Sequence, residues 1–382
     1  MMKSVSKVAL SALLVCSSAI VLPETSIAKS ASVPVETVKV STSIDRNFNN
    51  DSMDYFTVKS TKNQTVKLSI KNAQKKRFGV IVVKAKSAKV EEFVKKNFNR
   101  FDQMTEKEMD QLFDMIMNDF KIITSIDNES KELSGGKRTD EIRLGKGNYH
   151  FITLTDSNLK KYGKGFTLSL ANSKNTAIES EFNDTIATAN AMKRSTTYKG
   201  HFDMLTDDLD YFKVTVPKSG KLVMDTKVAT KATMNFKMYS KDKKKLTSTT
   251  KKSGKSYRTV ANVKKGTYFV RIGGSSDDLD QAFIDYQARV HVKTKTPSIK
   301  VTNKKGVKSD LLTVSNISKG DQVKVYSDSE KSKLITSFKA KSTSTKVSTK
   351  KLYDRGGKVY VTSKSEGLYT SFTKTVTYKK AK

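Results

Sequence analysis

The chain has 382 residues, with 72 Lys and Arg against 38 Asp and Glu, giving a formal net charge of +34. Its hydrophobic share of 36% is regularly patterned, which excludes a disordered polymer and suffices for roughly two or three domains. A single cysteine, Cys16, excludes a disulfide framework and a thiolate metal site. The excess charge points to polyanionic partners: an anionic cell-wall polymer, acidic glycans, anionic lipid or, without specificity, nucleic acid. It is equally compatible with a plain solvated surface, because charge alone specifies no partner.

The first residues read as an export signal. Lys3 and Lys7 precede the apolar run Val8 to Leu22, and Ser26-Ile27-Ala28 has the small-x-small form of a cleavage site. The run is too short for a membrane anchor, so residues 1–28 are expected to be removed. The mature chain is then expected to be secreted, free or cell-wall associated, and to have no transmembrane segment. It also contains no cysteine, and an exported chain without disulfides needs another staple, such as a metal ion.

Two stretches share a pattern. Asp51-Ser-Met-Asp54-Tyr55-Phe56 and Asp207-Asp-Leu-Asp210-Tyr211-Phe212 each place D-x-x-D before an alternating strand. Downstream, "GKGNYHFITL" from Gly145 parallels "KKGTYFVRI" from Lys264, so the chain reads as two copies of one unit. Asp54 lies 93 positions before Gly147 and Asp210 lies 56 before Gly266, so the first copy is 37 residues longer. The extra length falls on the one stretch with helical periodicity. Val90, Phe93, Val94, Phe98 and Phe101 form one stripe, and Thr105-Glu-Lys-Glu108 is a capping box. Met109, Leu112, Phe113, Ile116, Met117 and Phe120 form a second face. A helical hairpin over 88–123 is predicted within a first domain at 35–171. Its Met-rich face suits packing on the domain's own sheet or a partner.

Elsewhere the period is two. Phe212, Val214 and Val216 share one face, as do Tyr286, Ala288, Val290 and Val292. Short strands punctuated by turns such as Lys218-Ser-Gly220 predict a mainly β protein of tandem antiparallel β-sandwiches, with a second domain at 177–294. A further all-β module is predicted at 297–382, from stretches such as "GDQVKVYSDSE" and "GGKVYVTS".

In so basic a chain, the acidic residues around 179–210 stand out. Calcium takes roughly six to eight oxygen ligands, which carboxylates, amides and backbone carbonyls all supply. Glu179-x-Glu181-x-Asn183-Asp184 offers four oxygen-bearing side chains, and Asp207-x-x-Asp210 offers two more at the base of a strand. The spacing and loop glycine of an EF-hand are absent. Singly, these segments are a solvated linker and a polar turn; together they suggest a metal site, with calcium preferred over magnesium on ligand number.

Glu179-Ser-Glu181-Phe-Asn183-Asp184-Thr185, Ala187, Ala189, Tyr198-Lys-Gly200, Asp207-Asp-Leu-Asp210-Tyr211-Phe212 and Gly266-Thr-Tyr268 together resemble the bacterial pre-peptidase C-terminal (PPC) domain. That family includes the collagen-binding modules of clostridial collagenases. The resemblance covers about residues 177–294 and implies a jelly-roll-like sandwich with calcium held by Glu179, Glu181, Asn183, Asp184, Asp207 and Asp210. The first copy keeps Asp51 and Asp54 but lacks the Glu-x-Glu-x-Asn-Asp lead-in, so it is read as degenerate. The last module resembles, in pattern, small immunoglobulin-like modules of secreted Gram-positive proteins. The family's collagen binding uses exposed aromatics; Tyr268 and Tyr286 fall on comparable strands, where core packing explains them equally well.

No catalytic pattern emerges. His150, His201 and His291 lie in or beside strands, and none belongs to a His-Glu-x-x-His motif. There is no Gly-x-Ser-x-Gly elbow, and "SGKS" at Ser253 lacks the first glycine of a phosphate loop. A carboxylate pair for glycoside hydrolysis would want aromatic platforms, and the chain has no tryptophan. The sequence therefore predicts a non-enzymatic calcium-binding protein that adheres to a cell-wall polyanion or to an extracellular matrix protein such as collagen. The alternative is an accessory or inhibitory partner of a secreted peptidase, with the helical hairpin as its contact surface.

Overall fold

The computed structural model describes residues 36–38, 43–46, 53–72, 78–92, 105, 107, 108, 111, 120–127, 137–155, 166–175, 177–180, 183–203, 209–229, 233–275, 283–303, 309–349, 352 and 356–381. They build a mainly β protein of paired sheets. No helix among them is long and apolar enough to cross a membrane.

The first sheet pair contains β1 (Glu36–Val38), β2 (Ser43–Arg46), β3 (Met53–Ser60), β4 (Gln64–Asn72), β5 (Phe78–Ala85), β6 (Phe120–Asp127), β7 (Lys137–Leu144), β8 (Gly147–Thr155) and β9 (Phe166–Ser173). One sheet has the order β1-β3-β8-β5-β6 and the other β2-β9-β4-β7. Phe56 stacks on Phe151 at 5.0 Å in a core drawn from both sheets. The second pair contains β10 (Asn190–Ala191), β11 (Thr197–Asp203), β12 (Leu209–Val216), β13 (Gly220–Val228), β14 (Thr233–Ser240), β15 (Ser248–Ser253), β16 (Ser256–Val263), β17 (Gly266–Ser275) and β18 (Phe283–Lys293). Its sheets run β10-β12-β17-β14 and β11-β18-β13-β16-β15.

The two pairs repeat one strand order, with β6 added to one sheet of the first and β15 to one sheet of the second. The strands pair antiparallel, except that the short β1 and β10 lie parallel to β3 and β12. Gly147 faces Ser60 across the ladder as Gly266 faces Val216. Both glycines have positive φ (+141° and +155°), which side chains resist. Two residues on, each copy has a buried tyrosine: Tyr149 Oη accepts from Gly145 N (2.7 Å) and Tyr268 Oη from Lys264 N (3.0 Å). Both tyrosines thus lie buried and anchor their own turns.

Residues 88–92 are helical, as are 107, 108 and 111, and the predicted cap forms: Thr105 N donates to Glu108 Oε2 (2.8 Å) and Glu108 N to Thr105 Oγ1 (3.3 Å). The helical range does not reach 123, however. Phe120 opens β6, because the β-branched run Ile122-Ile123-Thr124 pairs with Val82 and Val83 of β5. The rest of the predicted hairpin lies outside the described residues, as do residues 1–28.

The third pair comprises β19 (Ser298–Thr302), β20 (Asp310–Ser315), β21 (Gln322–Tyr326), β22 (Leu334–Lys339), β23 (Ser344–Thr349), β24 (Gly357–Lys364) and β25 (Lys374–Tyr378), in sheets β19-β20-β23 and β22-β21-β24-β25. After β24, the loop 365–373 returns to the second pair. Tyr369 N donates to Val292 O and Thr294 N to Tyr369 O, both at 2.9 Å, which makes a short parallel bridge beside β18. Leu368 is buried within the second pair's core cluster. Ser365 Oγ donates to the buried Asp321 (2.6 Å), and Ser365 N to Thr294 Oγ1 (2.8 Å).

This loop covers His291 on the outer face of β18. Its ring lies 5.0 Å from that of Tyr369, and Asp225 of β13 stands 3.6 Å from Nδ1. Burial depresses the imidazole pKa to about 4, opposed by Asp225 and helped by Lys293, Arg289 and Arg258. The unfolded chain therefore binds this proton near pH 6.5 while the folded one refuses it until about pH 4. Stability contributed by neutral His291 is present above pH 6.5 and is lost as the pH falls through that window. Thermal melts of the wild type and His291→Gln should converge on acidification, by about 1–2 kcal/mol after solvent screening. Parallel pH profiles would contradict the assignment.

Candidate functional site

The lead-in to the second pair is clamped on both sides. Glu179 N donates to Lys199 O (2.9 Å), and Lys199 N to Ala177 O (3.0 Å), so 177–179 runs along β11. Ser180 and Asn190 exchange two hydrogen bonds, from Ser180 N to Asn190 Oδ1 (2.7 Å) and from Asn190 Nδ2 to Ser180 O (2.8 Å). Thr185 and Thr188 close the next turn through their hydroxyls at 2.8 Å, and Tyr211 N donates to Asn183 O (2.9 Å). The segment is thereby held between the edges of both sheets.

This placement buries what the sequence presents as a polar linker. Asp210 shares the inward parity of Phe212, Val214 and Val216 on β12 and is fully buried. Glu179 and Asn183 are buried as well, and Asp184 is half-buried. Glu181 and Asp207 lie outside the described residues. Among the described residues, no three His, Cys, Asp or Glu side chains converge as a metal group.

Glu179 and Asp210 meet instead at Tyr286, for which the sequence left core packing and an exposed binding aromatic equally open. Tyr286, inward on β18, places its hydroxyl 2.6 Å from Glu179 Oε2 and 2.8 Å from Asp210 Oδ2. A phenol has one proton to donate, so one O–H serves two buried carboxylates. Burial, then the charges of Asp210 and Glu179, push its pKa well above the ordinary phenol value and keep the proton in place. Asn183 brings a side-chain oxygen and nitrogen, both buried and without a hydrogen-bond partner among the described residues. Buried polar atoms are ordinarily satisfied, which makes the Asn183 amide oxygen a candidate ligand atom. The Glu179 and Asp210 carboxylates are hard oxygen donors, of the kind that suits calcium rather than a soft metal.

Gly200 makes room for this set. It pairs with Tyr286 across the ladder, and a Cβ there would lie 2.5 Å from the Glu179 carboxylate and against the Tyr286 ring. Gly200→Ala is therefore expected to destabilise the second pair by about 1–3 kcal/mol, as read by thermal melts. A variant that melts like the wild type would show that the pocket yields easily.

The first pair keeps the frame without the pocket. Aligned by ladder register, Asp54 matches Asp210, Phe166 matches Tyr286 and Arg46 matches Gly200. The phenol oxygen is missing there, and the position that must be glycine carries the longest cationic side chain. Tyr268 and Tyr286 are both buried, so neither is the exposed aromatic platform on which the collagen resemblance drew.

No protein-family model matches the chain, and no curated protein matches it. Among solved structures, it is similar to the adhesin domain of Epf from Streptococcus pyogenes: 12% identity, 48% of this chain, 77% of that one, TM-score 0.24. It is similar also to a DUF4785 family protein from Legionella pneumophila, at 10% identity, 88% and 92% coverage and a TM-score of 0.25. A third similar structure is the glycoside hydrolase domain of Endo-D from Streptococcus pneumoniae, at 15% identity, 48% of this chain, 33% of that one and a TM-score of 0.18. At such TM-scores these likenesses carry no argument about function.

Proposed function

We propose that this chain is a secreted, non-catalytic, PPC-like modular protein whose second sheet pair is stapled by calcium and which is held at a surface by an anionic cell-wall polymer. The carrying observation is the segregation of charge. Glu179, Asp210, Asp310 and Asp321 are buried, while no lysine or arginine is buried among the described residues. The face offered to a partner is therefore more positive than the composition implies. A long-range positive field gathers polyanions and weakens as salt screens it. Glu179, Asn183 and Asp210, with Glu181, Asp184 and Asp207, are the residues that would hold calcium. Bound there, the ion supplies cross-linking rather than catalysis, tying the lead-in segment to β12.

Co-sedimentation with teichoic-acid-bearing cell walls and, in parallel, with collagen fibrils tests this reading. Each series is run in calcium or chelator across rising salt. Wall binding that falls steeply with salt is expected. Salt-resistant, chelator-sensitive collagen binding would replace this reading with a matrix adhesin.

A further inference from the structure

We infer that the β14–β15–β16 edge of the second sheet pair is the docking surface for a linear polyol-phosphate polymer, an inference that rests on the retention proposed above. Residues 227–271 contain 14 Lys and Arg and one acid, Asp242. Those on β14, on the β14–β15 turn and on β15 lie at one side of the sandwich. β14 ends one sheet and β15 ends the other, whereas the buried carboxylates lie by the opposite edges, next to β10 and β11. The β14–β15 turn exposes Lys241, Lys243, Lys244 and Lys245, held by Ser240 N donating to Lys244 O at 2.9 Å. β15 then adds exposed Lys251 and Lys252.

β15 is unusual in its surroundings. Its sheet has five strands against four in the facing sheet, so β15 overhangs the sandwich and is exposed on both faces over nearly its whole length. Six residues give it a run of about 20 Å, long enough to lie along several repeats of a polymer. Lys251 stands directly opposite Arg258, a like-charge pairing that costs a sheet stability. Arg258 is answered by Asp225, at 2.5 Å, which leaves Lys251 as the excess charge. A cluster of lysines held together at such a cost is explained by an anion that lies across them.

The occupant carries phosphates without bases. Proteins that hold single-stranded nucleic acid pair a basic groove with aromatic stacking platforms. Tyr257, the aromatic beneath β15, is buried, Tyr239 of β14 is half-buried and packed 6.1 Å from the Tyr211 ring, and the exposed large hydrophobics of the described residues, Leu334 and Tyr369, lie in the third sheet pair.

The test compares two variants of the full chain with equal charge loss. One replaces Lys244, Lys245, Lys251 and Lys252 by Gln; the other replaces the exposed Lys319, Lys339, Lys341 and Lys346 of the third pair by Gln. Binding to poly(glycerol phosphate) and to single-stranded DNA of matched charge is measured across a salt series. The edge variant is expected to lose about tenfold in affinity for poly(glycerol phosphate) and to flatten the slope of log K against log salt by roughly 3. The third-pair variant should stay within about threefold of the wild type. Equal loss in both variants overturns the edge site while leaving retention by distributed charge standing. Wild-type failure to bind overturns that retention as well. Tighter binding to DNA overturns the choice of polymer. Unchanged binding by an edge variant that now aggregates would make these lysines mere guards of an open strand edge, and would also overturn it.

Discussion

Asp210→Ala is expected to erase the dependence of the second sheet pair's melting temperature on calcium. In the wild type, an ion that binds only the folded state stabilises it by RT ln(1 + [L]/Kd), about 2.7 kcal/mol at a hundredfold excess over Kd. That corresponds to a rise of several degrees for a sheet pair of this size. Asp210 is the ligand candidate least able to be replaced. It is fully buried, fixed on β12, and its carboxylate meets Tyr286 at 2.8 Å. Tyr286→Phe separates the competing explanations. If the pocket is held mainly by the phenol's hydrogen bonds to Glu179 and Asp210, the phenylalanine variant loses stability equally in calcium and in chelator. If calcium is the staple, the variant loses most in chelator, where the two carboxylates have lost both the phenol's proton and the ion. Differential scanning calorimetry of the wild type, Asp210→Ala and Tyr286→Phe, each with and without calcium, reads both effects. A wild type whose melting is indifferent to calcium would end the staple proposal.

How much of this pocket the sequence revealed depended on what neighbours in the chain could show. The strand after Asp210 was legible from alternation, and the same parity implied that Asp210 points inward with Phe212. Glu179 and Asn183 were legible as oxygen donors, but not as buried groups, because a linker's burial depends on which sheet edges close over it. Tyr286 was legible either as core or as a binding aromatic. The hint of a second role was chemical: a tyrosine among Ala288, Val290 and Val292 has a hydroxyl that must find a partner. Gly200 gave a similar hint, since a glycine inside a strand marks the close approach of another group. The helical periodicity ran on through Phe120 because β6 continues the apolar run, and only pairing with β5 decides its state. The cluster of His291, Asp225 and Tyr369 had no sequence signature, because its members come from different strands and from a loop of another sheet pair.

Leu368→Ala is expected to cost about 2–5 kcal/mol, a loss that falls on the second sheet pair although the residue belongs to the loop after β24. The side chain is 4% exposed and sits in the cluster that contains Phe212, Val290 and Val292. Truncation leaves a cavity that strand backbones locked in ladders cannot collapse to fill. The contacts around it are polar and rim-like: Lys218 Nζ donates to Glu366 O at 3.2 Å, Arg194 to Gly367 O at 3.4 Å, and Arg289 to Tyr369 Oη at 2.8 Å. Surface contacts of that kind contribute little singly, so Tyr369→Ala, at a residue 40% exposed, should cost no more than about 1 kcal/mol. The buried leucine is therefore the apolar tie between the second and third pairs, beside the backbone bridge at Tyr369 and the buried bonds of Ser365. Losing it should free the short link at 294–297 to hinge, which limited proteolysis and a larger radius of gyration in solution scattering would report. If Leu368→Ala melts and scatters like the wild type, the loop is an accessory contact and the two pairs are independently hinged. In that case a polymer gripped by the β14–β15–β16 edge would leave the third pair free to reorient, whereas a locked junction presents both to the surface in one fixed arrangement.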